Sequence, residues 1–572
     1  MTVAAPDVGN LVQSVDWIAI APPTLTAVAA LLVLVADLFV PERHKALLGW
    51  ASAGALTLAA LSLLPLVGAD RATFCRKSAP DVCSYTADQF TLAVQLLVIG
   101  GALVAVLLSI TLLSDDADRP GGRVLPDGEY WFLLLSSAAG AALLPAARDL
   151  TTLIVALEVA SLPAFALVGL RRGDRMSSEA ALKFFLSSVT ATAVTLMGAS
   201  FVYATTGSMY LTEIADALAD VDGRFATLAQ TGVALTLIGF AFKTAAVPFH
   251  FWVPDTYVGA PLPVAAYLSV IGKAVGFTGL ILVTVIAFPP YADVWGPALA
   301  VLAALTMTIG NAAALRQRSA HAFSAVRLLA WSSVGQAGYL LVPIAAAAYA
   351  KDPQRAVGFT VAYALMYAAV NLGAFAVAAL VARTRPLNRL TDYRGLYAER
   401  PLTALVLGFF LLCLAGLPPG IIGLFAKVTV FSSVVDAGLG WLAVVMAVNV
   451  VIALYYYLRW TALLFQAPER APEATEATKA TEATGSAAAP APPAEVPAAV
   501  GAAAAAAAAT TAATATTATV TAEPAPSAPL STSPVAAVPV PIAAAIALTA
   551  LLGIALSGAP QLVLRFADTV LF

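Results

Sequence analysis

The chain has 572 residues, 60% of them hydrophobic and 11% charged, where soluble domains carry roughly 25% charged residues. Its formal net charge of -3 leaves no basic surface for nucleic acid, and its three histidines and three cysteines show no metal-ligand or Cys-x-x-Cys spacing. A soluble enzyme is therefore excluded and metal or redox-cofactor readings are disfavoured, while apolar runs recur from one end to the other. The class is an all-α polytopic membrane protein, because backbone groups in lipid must be paired within their own segment.

A bilayer crossing takes about 20 apolar residues. On that measure the sequence predicts fourteen spans, near 18–40, 46–68, 89–113, 131–147, 150–170, 180–205, 229–250, 262–288, 296–315, 328–349, 357–382, 402–435, 440–464 and 539–558. The first is too long, and too poorly preceded by positive charge, for a cleaved signal peptide, and is expected to be a retained span. Residues 466–529 contain no Leu, Ile, Phe, Met, Trp or Tyr. Such a segment cannot bury enough to fold and is expected to be a disordered loop on the cytoplasmic side. The chain thus divides into residues 1–130 with spans one to three, 131–290 with spans four to eight, 291–465 with spans nine to thirteen, the loop 466–538, and 539–572 with span fourteen.

Placing the N-terminus outside puts eighteen of the thirty Lys and Arg on the inner side and eight on the outer side, the bias that orients membrane proteins. Both termini are then expected on the non-cytoplasmic side. All eight tryptophans fall at or near span ends, as in an interfacial aromatic belt. Cys75 and Cys83 lie in the outer loop after span two, where a disulfide and two free thiols are both open.

Four lysines remain inside apolar spans: Lys183, Lys243, Lys273 and Lys427. An ionised group at mid-bilayer costs roughly 2.5 to 3.5 kcal/mol on insertion scales, so it survives by snorkelling, pairing or facing water. Lys183 is close to its helix start and can snorkel. Lys243, Lys273 and Lys427 are too deep, which marks them as functional. Glu158 is the only carboxylate near the centre of a span and is the expected partner of a buried lysine. A charge whose partner comes and goes changes its proton affinity, which is what a proton relay requires. Pro248 and Pro254 follow Lys243, and Pro418, Pro419, Gly420 and Gly423 precede Lys427. Spans seven and twelve are therefore expected to be broken. Each is fourth in a five-span unit, and two five-span units in succession must be inverted, an arrangement that points to transport sites.

The stretches VPFHFWVPDTYVGAPLPVAAYLSVIGKAVGF, LLAWSSVGQAGYLL and AGLPPGIIGLFAKVTVF resemble the antiporter-like membrane subunits of the proton-pumping NADH-quinone oxidoreductase, respiratory complex I, and within that family the subunit N branch. The resemblance covers spans four to thirteen, is weaker before them and absent from the Ala/Thr-rich loop. Lys273 stands where subunits L and M have histidine, and Lys427 where subunit M has glutamate. The resemblance implies a Glu158/Lys243 pair beside the inner half-channel, Lys273 as the central relay and Lys427 as the lysine facing the outer exit. It also implies that Lys183, in the EAALKFFL motif, is an auxiliary group. His250 follows the break in span seven and is either a titratable group at a channel mouth or a structural hydrogen-bonding residue. The chain is expected to hold no cofactor, with NADH, FMN, iron-sulfur clusters and quinone in partner subunits, and to pack against other complex I membrane subunits, neighbouring antiporter-like ones included, and lipid of a bacterial plasma membrane. The alternative function is the large subunit of a multi-subunit sodium/proton antiporter. Deleting residues 470–530 is expected to leave assembly and turnover nearly unchanged, since the segment has no packed core to lose; failure of the deleted chain to assemble would overturn this reading of the loop.

Overall fold

The computed structural model describes residues 15–117, 125–467, 537–568 and 571–572, so nearly all of the predicted 466–538 loop lies outside the described residues. The described part is a bundle of helices joined at one end by a small hairpin. Eleven of its helices are long and apolar enough to cross a membrane. Fewer qualify than the fourteen predicted spans, for local reasons. Helix α1 (Ala21–Asp37), opened by Pro22 and Pro23, has 17 residues. The fourth span is α4 (Asp127–Leu143), with Asp127 and Glu129 in its first turn, and the twelfth is divided in two.

Between α1 and α4 lie α2 (Ala46–Leu61), the strands β1 (Arg71–Arg76) and β2 (Ala79–Ala87), and the 29-residue α3 (Gln89–Ala117). The strands form an antiparallel hairpin that an all-α reading did not contain. Cys75 faces Cys83 across the ladder and the two are joined in a disulfide. Arg71 pairs with Asp16 at 2.9 Å, Arg76 with Glu213 at 2.5 Å, and the Arg148 amide donates to Ser84 O at 2.9 Å, so the hairpin ties distant segments together at one end of the bundle. The guanidinium of Arg71 holds the Asp16 carboxyl below its usual range. At the same end Phe90 N donates to Leu571 O and Leu571 N to Gln354 Oε1.

The helices that carry the predicted site follow. Helix α5 (Leu150–Val168) is capped by Asp149, whose carboxylate accepts from Thr152 N, and α6 (Arg175–Thr206) by Asp174. After the short α7 (Leu211–Ala219), α8 (Ala226–Thr244) stops at Ala245, which adopts a left-handed φ of 66°. The chain resumes as α9 (Trp252–Gly259). Span seven is thus interrupted around Pro248, and the freed amide of Val247 is taken up by Thr306 Oγ1 at 2.9 Å. Helix α10 (Leu262–Tyr267) passes through a π-turn, Leu268–Gly272, directly into α11 (Lys273–Ile281).

Helix α12 (Ala292–Leu315) leads into α13 (Ser324–Ala347) and α14 (Pro353–Ala382), the two most buried helices of the second half. After the single turn α15 (Leu396–Glu399), α16 (Pro401–Ala415) ends at Gly416, whose φ of 86° suits glycine. Beyond Pro418 and Pro419 the span resumes as α17 (Ile421–Asp436), followed by α18 (Gly440–Phe465), α19 (Val540–Gly558) and the amphipathic α20 (Gln561–Asp568). The aromatic belt is only partial: Trp17, Trp50 and Trp441 are exposed, while Trp131, Trp252, Trp295 and Trp460 pack inside the bundle.

Lipid tails are as apolar as leucine, so helices in a membrane associate through close packing, which small residues permit. Helices α12 and α13 cross in this way, and a Cβ added at Gly310 would lie 2.4 Å from Gly335 N. Gly310→Ala is expected to destabilise the protein by about 1 to 3 kcal/mol through overpacking, whereas Gly54→Ala, with nothing within 4 Å, is neutral. Thermal unfolding of the detergent-solubilised protein compares the two, and equal melting temperatures would contradict the crossing.

Candidate functional site

Lys243, Lys273 and Lys427 are 5%, 1% and 4% exposed, buried more deeply than charged side chains usually are. A charge so placed needs ligands. Lys243, in the last turn of α8, donates to Ser161 Oγ of α5 and Ser188 Oγ of α6, both at 2.6 Å. The rings of Phe165, Phe184 and Phe242 lie 5.0, 5.8 and 5.9 Å from its Nζ, within cation–π range. Glu158 is on a neighbouring turn of α5, and its Oε1 accepts from Thr192 Oγ1 at 2.6 Å. The implied Glu158/Lys243 pair is therefore not in contact: each partner is bound by hydroxyls.

Lys273 begins α11 at the exit of the π-turn, a local unwinding often found at functional sites. Its Nζ donates to Ser333 Oγ of α13 and lies 3.4 Å from the Tyr257 hydroxyl of α9. Tyr367 OH of α14 is 3.0 Å from the same Ser333 Oγ and 3.2 Å from Ser269 O. Lys427, in the second turn of α17, reaches back across the break and donates to Leu414 O at 3.1 Å and Ala415 O at 2.6 Å. These carbonyls close α16 and have no partner in their own helix. The lysine thus caps the helix that the break exposes.

Two small cavities adjoin the outer lysines. One of about 20 Å³ is lined by Ser137, Ser161, Lys243, Tyr267 and Gly272, next to Lys273. Another of about 20 Å³ is lined by Gln336, Tyr363, Tyr367 and Lys427. Each has room for one water molecule among several polar groups. Tyr367 belongs to both neighbourhoods, touching Ser333 beside Lys273 and lining the Lys427 cavity. A larger vestibule of about 760 Å³, lined by Asp115, Asp116, Arg171, Arg175 and Arg383, reaches Tyr257, whose hydroxyl touches the Lys273 group.

The remaining predicted residues lie elsewhere. Lys183 sits on the surface of α6, about half-exposed, paired with Glu179 and Asp255 at 2.8 Å each. His250 is half-buried in the break after α8, its ring 5.5 Å from that of Trp331. Among the described residues no three His, Cys, Asp or Glu side chains come together as metal ligands. The hydroxyls of Ser161, Ser188, Thr192, Tyr257, Ser333 and Tyr367, and the Gln336 amide that lines the Lys427 cavity, escape a search for charges, although polar residues at mid-span, as in WSSVGQ, are a signal for some of them.

The line of lysines depends on one close approach. A Cβ at Gly276 of α11 would lie 2.3 Å from Thr244 N and 2.6 Å from Lys243 C, so only glycine lets the Lys273 helix rest on the end of α8. Gly276→Ala is expected to push α11 away from α8 and separate Lys243 from Lys273, because the added Cβ has no room against the α8 backbone. Unchanged crystal or cryo-EM spacing of α8 and α11 in the Gly276→Ala chain would refute this.

Residues 147–453 match the family described as NADH:quinone oxidoreductase/Mrp antiporter, TM. NADH-quinone oxidoreductase subunit N 2 of Streptomyces griseus is 68% identical over 570 residues, covering 99% of this chain and 96% of that protein. A chain of respiratory complex I from Thermus thermophilus superposes with a TM-score of 0.66 at 29% identity, over 95% of this chain and 98% of that one. A chain of the Mrp complex from Dietzia sp. DQ12-45-1b superposes with a TM-score of 0.72 at 20% identity, over 96% of each, and shares the fold. With a family match over more than half its length and this identity along nearly all of it, the chain belongs to the NADH-quinone oxidoreductase subunit N family, the antiporter-like membrane subunits of complex I.

Proposed function

We propose that the chain carries protons across a bacterial plasma membrane as one module of complex I, driven by NADH:quinone electron transfer in partner subunits that hold the FMN, iron-sulfur clusters and quinone. The observation that carries this reading is the set of three lysines, buried and held by hydroxyls or carbonyls, with Glu158 one turn of α5 from Ser161, which binds the first. A buried ammonium without a bonded anion is held only weakly in its charged form, so a charge moved nearby can make it take up or release a proton. In this reading Glu158 and Lys243 receive the signal, Lys273 relays, and Lys427 faces the exit, with Lys183 and His250 auxiliary. The antiporter alternative rests on a fold shared at 20% identity, against 68% for the subunit N relative.

The same reading takes the chain as fourteen spans with inner loops rich in arginine, and residues 131–290 and 291–465 as inverted five-span units. The interruptions at α8/α9 and α16/α17, fourth in each unit, support it. Partners are the other membrane subunits of the complex and lipid.

The test is proton uptake and NADH oxidation by the intact complex in vesicles. Lys243→Ala, Lys273→Ala and Lys427→Ala are each expected to cut pumping at least tenfold, a low value for loss of a general acid–base group, whose contribution is about 10²–10⁴-fold. Lys427→Arg is expected to fail too, because a guanidinium does not release its proton. Glu158→Gln is expected to impair pumping and Glu158→Asp to retain part of it, while Lys351→Ala on the surface serves as control. Normal pumping by Lys243→Ala and Lys427→Arg in assembled complex would make the lysines structural.

A further inference from the structure

Glu158 and Ser161 are three residues apart on α5, and Ser188 and Thr192 four apart on α6, so each pair shares a helix face on adjacent turns. The groove between α5 and α6 therefore offers an ammonium two seats about one turn apart. One is anionic, formed by Glu158 with Thr192 bonded to it at 2.6 Å. The other is neutral, formed by Ser161, Ser188 and the rings of Phe165, Phe184 and Phe242, and Lys243 occupies it. No carboxylate among the described residues lies within 4 Å of Lys243 in that seat.

We propose that Ser161 and Ser188 are positioning residues that hold Lys243 away from Glu158, in a neutral seat from which it faces the next lysine. This inference rests on the relay reading above. Three observations converge on it. Both hydroxyls are buried and aimed at one ammonium, although Ser161 could satisfy itself on Leu157 O at 2.6 Å alone. The seat borders the cavity that also touches Tyr267 and Gly272, on the side of Lys273. The flexible four-carbon stem of lysine can cross one helical turn by changing rotamer while both helices stay fixed. Opening and closing of the Glu158/Lys243 pair then needs no backbone movement: the ammonium exchanges two hydroxyls for a carboxylate and back. In the anionic seat the lysine is paired and withdrawn from the cavity, and in the neutral seat it adjoins the path to Lys273.

The experiment uses the intact complex in vesicles, measuring proton uptake per NADH oxidised together with the amount of assembled complex. In the Ser161→Ala/Ser188→Ala chain the neutral seat is lost and Lys243 stays with Glu158, so pumping is expected to fall about tenfold, the scale of a charge-assisted hydrogen bond. Weakening the competing seat in that background with Glu158→Asp is expected to raise pumping again, a suppression that a merely structural role would not give. Ser161→Thr/Ser188→Thr, which keeps both hydroxyls, is expected to pump normally. The proposal is overturned if the double alanine chain pumps normally, if Glu158→Asp only deepens its loss, or if the threonine chain fails equally. Normal pumping by Lys243→Ala would instead remove the relay reading itself, whereas a failing Lys243→Ala beside an unaffected double alanine chain removes only the seat.

Discussion

Three ammonium groups lie inside an apolar bundle without a carboxylate in bonding distance, and much of the architecture serves to give them neutral ligands. An isolated charge in such surroundings costs far more than one hydrogen bond returns. The ligands therefore come from several helices at once: α5 and α6 for Lys243, α9 and α13 for Lys273, and the end of α16 for Lys427. Helices that must meet around a small charged head must pack closely, which accounts for the glycines at their crossings. Gly276 brings α11 onto α8, and Gly423 allows α17 to pass Cys413, whose carbonyl oxygen would lie 1.6 Å from an added Cβ.

The breaks follow from the same constraint. Interrupting a helix in lipid strands backbone groups, which are tolerated only where protein re-satisfies them. At the first break Thr306 of α12 accepts from Val247 N. At the second, Lys427 binds the carbonyls that end α16, and Ser557 of α19 lies 3.3 Å from Ile422 N at the start of α17. A span written as one apolar run thus becomes two half-helices whose ends are coordinated by other parts of the chain. Helix α19, the last predicted span, thus contributes a ligand to the second break.

What the sequence revealed follows from which residues disturb an apolar run. A lysine at mid-span or a Pro-Pro-Gly run stands out against hydropathy, so the lysine line and both breaks were legible before any coordinates. Hydroxyls do not stand out. Ser161 bonds Leu157 O and Thr195 bonds Ala191 O within their own helices, so such residues cost little in a span and leave no anomaly. That Ser161 and Ser188 converge on Lys243 appears only once α5, α6 and α8 are packed. The π-turn before Lys273 was equally silent, having no proline or glycine pair to announce it. The hairpin was missed because its strands lie in what read as a loop between spans two and three, and its cysteines left pairing open.

The two outer lysines of the line differ in what holds them. Lys243 rests on side chains, two hydroxyls and three aromatic rings. Lys427 rests on backbone carbonyls at the negative end of a half-helix, where the helix dipole adds to the attraction for a cation. On the two-seat proposal, moving the first ammonium needs only a change of rotamer. Moving the second leaves the end of α16 uncapped, so its displacement is coupled to the geometry of the break itself. On the proposed relay, a signal arriving at Glu158 would pass through Lys243 by side-chain steps, whereas at Lys427 the same charge movement would engage the end of α16 and so the geometry of the break.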